Sequence, residues 1–330
     1  MTPDSLPSID IVVIGINVER YLNDCIASIR AADYPQELLN IIYVDGGSRD
    51  RSPDIGQEAG IRVIRLDHPH PTPGRGRNAG MLVATAPFIQ FLDADTILHP
   101  DWLKAALPCF NETIVAVCGK RSERRPDLNL YHRIASVEWF YEQGPCRYFG
   151  GDFLARRQPL TAIDGFDDLL VAGEEPDLSC RLRQQGWVIW RTTADMTLHE
   201  LNMTRFAQYW KRAFRSGHAY AQICLRYLRT TEKLWLREFF RISAAVLLPL
   251  LIIGVGGLLG HPVIALITAG IVVLRPMARI PATMRRCHIS FGMALAYALH
   301  ASFVVYPQFF GMLRFLLSPR MGPVVNRRSS

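Results

Sequence analysis

Asp93 and Asp95 stand two positions apart in "FIQFLDADTILHPDW" (88–102), directly after an apolar run. In an extended chain, residues i and i+2 lie on one face, so a strand ending here delivers both carboxylates to one place. Like charges that close repel unless a cation screens them. Hard divalent cations prefer carboxylate oxygens, and magnesium or manganese commonly shares its coordination with substrate phosphate. The pair therefore reads as a candidate metal–diphosphate site, although a solvated turn is the commoner setting for this tripeptide alone.

Other polar clusters give it company. "YVDGGSRDRS" places Asp45 at the end of a second apolar run, followed by Gly46 and Gly47, which let backbone approach a ligand closely. "PGRGRNAG" places Arg75 and Arg77 just before a predicted helix, with Asn78 at or near its start, and arginines there can meet a diphosphate through charge-assisted bonds. "GEEPDLSCRLRQQG" carries Glu174, Glu175 and Asp177 around Pro176. On its own this is a helix N-terminus, with acidic residues in the first turn and proline at the first helical position. His199, in "TLHE", is a lone histidine, and such residues are more often structural than ligands.

The elements that must hold these residues alternate. Apolar runs at 9–14, 41–44, 61–66, 88–92 and 114–117 read as strands. Between them, 21–31, 53–59 and 78–84 read as helices, and two more are expected near 128–141 and 178–185. This alternation predicts an α/β fold on a doubly wound, mostly parallel sheet. Such sheets bind ligands beyond the carboxyl ends of their strands. "GINVER", "DGGSRD" and "DAD" all fall there.

The 330-residue chain is 49% hydrophobic with a net charge of +7, and both excesses concentrate toward the C-terminal end. Residues 205–241 interleave Phe206, Tyr209, Trp210 and Phe214 with Lys211, Arg212 and Arg215 at helical spacing, a pattern suited to helices lying in a membrane interface. Three apolar stretches follow, at about 242–259, 262–280 and 289–317, with four arginines (Arg275, Arg279, Arg285, Arg286) at the end of the second and before the third. Spanning a bilayer takes about 20 apolar residues, so this region is expected to be a multi-pass membrane segment in an inner or plasma membrane. The positive-inside rule then puts the arginine-rich loop and the N-terminal domain in the cytoplasm. The third stretch is interrupted by His300, Pro307 and Arg314. It either spans, leaving Arg320, Arg327 and Arg328 outside, or forms a re-entrant or interfacial hairpin. The seven cysteines show no Cys-x-x-Cys pair, which argues against a zinc site or disulfide framework and suits reduced cytosolic thiols. The polar, acidic "MTPDSLPSID" does not read as a signal peptide. A nucleic-acid role is poorly supported, because the basic residues lie beside apolar spans.

The ordered set "VVIGINVERYLNDCIASI", "IIYVDGGSRDRS", "GRGRNAG", "FIQFLDADT", "GGDFLARR", "IDGFDDLL" and "GEEPDLSCRLRQQGW" resembles the family 2 glycosyltransferases of GT-A fold, over roughly residues 9–200. The resemblance implies a magnesium or manganese ion held on the donor diphosphate by Asp93 and Asp95, with Asp95 the preferred direct ligand and His199 a further one. It implies donor contacts from Asn17 and Glu19 in the first loop, from Asp45 and Gly46 at the second strand end, and from Arg77 and Asp93. The family's general base maps to Glu175, where an aspartate is usual; Glu174 and Asp177 are the alternatives. The first loop also departs, keeping Asn17 but not the usual proline. No Gln-x-x-Arg-Trp motif of processive synthases occurs, which favours transfer of a single sugar. The implied activity is an inverting, metal-dependent transfer from a UDP- or GDP-sugar to a lipid-linked or polysaccharide-precursor acceptor at the membrane. Arg212 and Arg215 would hold the acceptor or lipid. Two rival readings are an inactive membrane-anchored scaffold and a sugar nucleotidyltransferase, though the latter would need a lysine-bearing glycine-rich loop absent from "GINVER". The expected organisation is a catalytic domain over 1–204, interfacial helices over 205–241, a membrane region over 242–317 and a basic tail over 318–330.

Overall fold

A computed structural model describes residues 6–317; the tail read at 318–330 lies outside the described residues. The chain runs β1 (Ile9–Gly15), α1 (Glu19–Arg30), β2 (Leu39–Asp45), α2 (Ser52–Glu58), β3 (Arg62–Arg65), α3 (Pro73–Val83), β4 (Phe88–Asp93), β5 (Thr96–Leu98), α4 (Trp102–Ala106) and β6 (Ile114–Glu123). It continues with α5 (Leu130–Glu138), β7 (Gly144–Pro145), β8 (Phe153–Arg156), α6 (Arg157–Ala162), α7 (Glu174–Gln184) and β9 (Val188–His199). The C-terminal helices are α8 (Phe206–Tyr227), α9 (Leu236–Leu258), α10 (Pro262–Leu274), α11 (Ile280–Cys287), α12 (Phe291–Phe303) and α13 (Val305–Leu317).

The strands form one sheet in the order β3-β2-β1-β4-β8-β6-β9-β5, with β7 against β9. β3, β2, β1 and β4 are mutually parallel, and β8 enters antiparallel between β4 and β6. The central strands read as continuous apolar runs because both sheet faces are covered. Ile9, Ile11, Val12 and Val13 of β1 are wholly buried, as are Ile42 and Tyr43 of β2 and Ile89, Phe91 and Leu92 of β4.

Contacts divide the chain into two units: one comprises the chain up to Arg125 together with Trp139–Leu201, the other Pro126–Glu138 together with the chain from Asn202. Within the second unit, three helical stretches are long and apolar enough to cross a membrane: Leu236–Leu258, Val263–Cys287 and Phe291–Leu317.

Two local expectations are corrected. α3 starts at Pro73, not near Asn78, so Arg75 and Arg77 lie inside the helix. The Thr72 hydroxyl caps it by accepting from the Arg75 amide, and proline suits the first helical position. α7 starts at Glu174, two residues before Pro176, because Gly173 at φ 89° makes the left-handed turn that lets the helix begin there.

Candidate active site

The parallel strands set the site by their common ends. Register pairs Gly15 with Asp45 and Ile14 with Asp93, so β1, β2 and β4 finish side by side. After β4 the chain turns at once, with the Thr96 hydroxyl donating to the Asp93 carbonyl (2.7 Å), and β5 returns antiparallel to β9. That pairing sets Thr96 opposite His199. The last residues of β9 are fastened by the amides of Arg124 and Leu201, which donate to the His199 carbonyl and the Glu123 carboxylate, and by an Arg125–Glu200 ion pair.

As a result, one ligand atom each from Asp93, Asp95 and His199 lies within 4.8 Å of the others. His199 Nε2 is 3.4 Å from Asp95 Oδ2, while its Nδ1 is buried without a hydrogen-bond partner. Burial opposes ionisation of Asp95, but the hydrogen bond and charge of His199, with Arg121 behind, outweigh it and hold the carboxyl below its usual value. Two carboxylates and one imidazole, with an orphaned ring nitrogen among them, fit a divalent cation.

Arg77 ties this group to the acidic start of α7. It is 2% exposed; Nη2 donates to Asp93 Oδ1 (2.9 Å) and Nη1 to Glu174 Oε1 (3.0 Å), with Glu175 Oε1 at 3.4 Å. The arginine expected at the base or diphosphate is thus committed to three carboxylates. Glu175 is the most accessible of the three acidic candidates, with 18% of its side chain exposed against 5% for Glu174. Burial, then the charge of Glu174, push the Glu175 carboxyl up to about 8 against the opposing pull of Arg77. Asp177 is 1% exposed and accepts from Arg181 Nε (2.9 Å), a link within α7.

Asp45 is fully buried and accepts from the amides of Gly47 and Ser48 and from the Tyr43 hydroxyl. Its carboxylate shapes the glycine turn rather than standing free. Asn17, in a left-handed conformation at φ 54°, donates its amide to the Ser48 hydroxyl and accepts from the Arg49 amide; Glu19 accepts from the Arg51 amide. The Gly46 amide donates to the Gly15 carbonyl. These residues build a neighbouring wall of two interlocked loops. Arg212 and Arg215 belong to α8 and are exposed.

Four participants escaped sequence reasoning. Asp152 is 2% exposed and accepts from the Asp93 amide (3.0 Å) and the Thr197 hydroxyl (2.8 Å), clamping β4 to β9. Arg121 reaches Asp93 (3.6 Å) and Asp152 (3.7 Å) and lies over the Trp139 ring, which meets His199 edge-on with centroids 5.3 Å apart. At Gly151 an added Cβ would lie 2.6 Å from Asp93 Oδ2 and 2.7 Å from Arg77 Nη2, so any larger residue would push that ion pair aside. "GGD" was visible in the sequence, but nothing local shows that its strand inserts beside Asp93.

Residues 10–166 match the profile of the family described as "Glycosyl transferase family 2". The putative glycosyltransferase EpsH of Bacillus subtilis is 31% identical over 121 residues, covering 36% of this chain and 35% of that protein. The pre-mycofactocin glycosyltransferase of Mycobacterium tuberculosis is 26% identical over 279 residues, covering 79% of this chain and 56% of that protein. The chain thus spans about a third to about half of these relatives' lengths. The mannosyltransferase PcManGT of Pyrobaculum calidifontis, solved with GDP-Man and Mn2+, superposes with a TM-score of 0.60 at 14% identity, over 94% of this chain and 88% of that one, a likeness of fold. With its mixed sheet and strand-end acidic cluster, the chain has a GT-A fold in which residues 10–166 form a family 2 glycosyltransferase region, followed by a helical C-terminal region with three stretches apolar enough to span a membrane.

Proposed function

We propose that the chain transfers one sugar, with inversion, from a nucleoside diphosphate sugar to an acceptor hydroxyl presented at the cytoplasmic face of a membrane. The observation carrying this reading is the junction of two groups at one sheet edge: Asp93, Asp95 and His199 on one side of Arg77, and Glu174 and Glu175 on the other. Asp93, Asp95 and His199 would hold a magnesium or manganese ion, which supplies charge neutralisation for the departing diphosphate. PcManGT, with GDP-Man and Mn2+ in the same fold, supports that assignment.

Glu175 takes the proton from the acceptor hydroxyl as that oxygen attacks the anomeric carbon; the bond to the diphosphate breaks on the opposite face. A carboxyl raised to about 8 is a stronger base than an ordinary glutamate. Arg77 fixes the distance between base and diphosphate group by bridging Glu175 and Asp93. Asn17, Glu19, Asp45 and Gly46 shape the nucleotide wall. Arg212 and Arg215 face an anionic acceptor head group, and a lipid-linked acceptor suits the apolar helices that follow.

A panel of UDP- and GDP-sugars with either cation tests the reading. Asp95→Ala should abolish turnover, and Glu175→Gln should bind donor while losing transfer by about 10²-fold or more. Normal transfer by Glu175→Gln would move the role to Glu174 or Asp177. Failure of any donor to bind or react would favour the inactive-scaffold alternative.

A further inference from the structure

The helical stretch Phe291–Leu317 is long and apolar enough to cross a membrane, yet two contacts inside the second unit hold it to polar partners. His300, ten residues into it, places Nε2 3.0 Å from Glu138 Oε1 and Nδ1 3.0 Å from the Tyr209 hydroxyl. Glu138 ends α5, and the chain enters and leaves α5 from the catalytic unit at Arg125 and Trp139. Chain continuity therefore keeps Glu138, and His300 with it, on the catalytic side.

The remainder is too short to cross from there. The described remainder after His300, residues 301–317, has 17 residues, whereas about 20 are needed at 1.5 Å rise per residue. α13 also lies against α8 so closely that a Cβ on Gly217 would strike the Gln308 backbone and one on Gly311 the Phe214 backbone. α8 carries exposed Lys211, Arg212 and Arg215 within two turns of that crossing. Were α13 to traverse the hydrocarbon, these charges would be carried into it, which is costly.

We propose that α12 and α13 do not span but lie with α8 as a platform on the bilayer surface, so that the chain before Leu236 and the chain after Leu317 share one side. This rests on the membrane reading above. The occupant of the platform is the lipid interface itself. Phe206, Phe303 and Phe310 are exposed around Trp210, with ring centroids 6.0–6.2 Å from it, and the basic residues of α8 accompany them. Interfacial aromatics beside lysine and arginine are the signature of helices lying in the membrane plane. The topology also leaves Arg320, Arg327 and Arg328 on the same side as Arg275, Arg279, Arg285 and Arg286, as the positive-inside rule prefers.

The full chain, tagged at both ends and at Gly260–His261, tests this by protease protection in right-side-out and inverted vesicles. Both end tags should be cleaved from the same side. An Arg215→Cys variant should gain label over its parent from a membrane-impermeant maleimide added on that side. End tags cleaved from opposite sides, or an Arg215→Cys thiol shielded from both sides, would overturn the proposal while leaving the membrane reading intact. Complete release of the chain by alkaline carbonate would overturn the membrane reading, and this proposal with it.

Discussion

At the scale of single residues, the site sets the charge of the Glu175 carboxylate against its own burial. Glu175 binds its proton more tightly in the fold than in the unfolded chain, its carboxyl rising from 4.5 to about 8. Its ionisation therefore costs stability progressively as pH rises between those values. Glu175→Gln should remove that cost, leaving the variant more stable than its parent above about pH 8 by on the order of 1 kcal/mol, since partial exposure and the neighbouring Glu174 reduce the full linkage value. Paired thermal melts at low and high pH read this directly: the gain should vanish near pH 4. In the native enzyme, kcat/KM should climb with pH through the 7–9 region, as a general base must be deprotonated to act. A profile already flat from about pH 6 would remove Glu175 from that role. The residue types were legible here, because Asp-Ala-Asp and the acidic helix start announce themselves in a single sequence. Arg77's occupation by three carboxylates was not, because it depends on where α7 lands.

Elements explain the rest of what was hidden. The alternation of β1, α1, β2 and α2 is written in local pattern, but β8 lies between β4 and β6 only through long-range pairing. Asp152, Gly151 and Arg121 enter the site by that pairing, so no window of sequence could show them. α3 illustrates the same dependence. Asn78 accepts from the Phe166 amide (2.8 Å) and donates to the Phe166 carbonyl (2.9 Å) and to Asp168 (2.6 Å), pinning the helix that carries Arg77 to the segment leading into α7. Asn78→Ala should cost about 1–3 kcal/mol by chemical denaturation, as it leaves buried groups unpaired. It should also lower kcat more than donor affinity, because the Arg77 bridge moves while the Asp93–Asp95–His199 cluster stays in place. Equal losses in both would mean that the bridge does not set the geometry of transfer.

For the whole molecule, a domain boundary read along the chain after residue 204 leaves Pro126–Glu138 on the catalytic side of the cut, whereas the contacts group it with the C-terminal helices. The sequence showed a helix near 128–141 but not which core it completes. α5 buries His132, Ile134, Ala135 and Val137, and within the second unit Tyr131 stacks on Tyr209 of α8 with centroids 5.7 Å apart. A chain stopped after residue 204 loses these partners but keeps α5, so its apolar face is left in water. Large exposed apolar patches drive association. Such a truncated chain should bind an apolar dye and sediment as aggregates. Replacing Ile134 and Val137 by serine in that background should restore a monomer. In the full chain the same pair of replacements should instead destabilise the helical unit by about 2–5 kcal/mol, the cost of removing buried apolar groups. The opposite signs in the two backgrounds are the test. A truncated chain that is monomeric and silent to the dye without these replacements would show that α5 finishes its packing on the catalytic unit and owes nothing to the C-terminal helices.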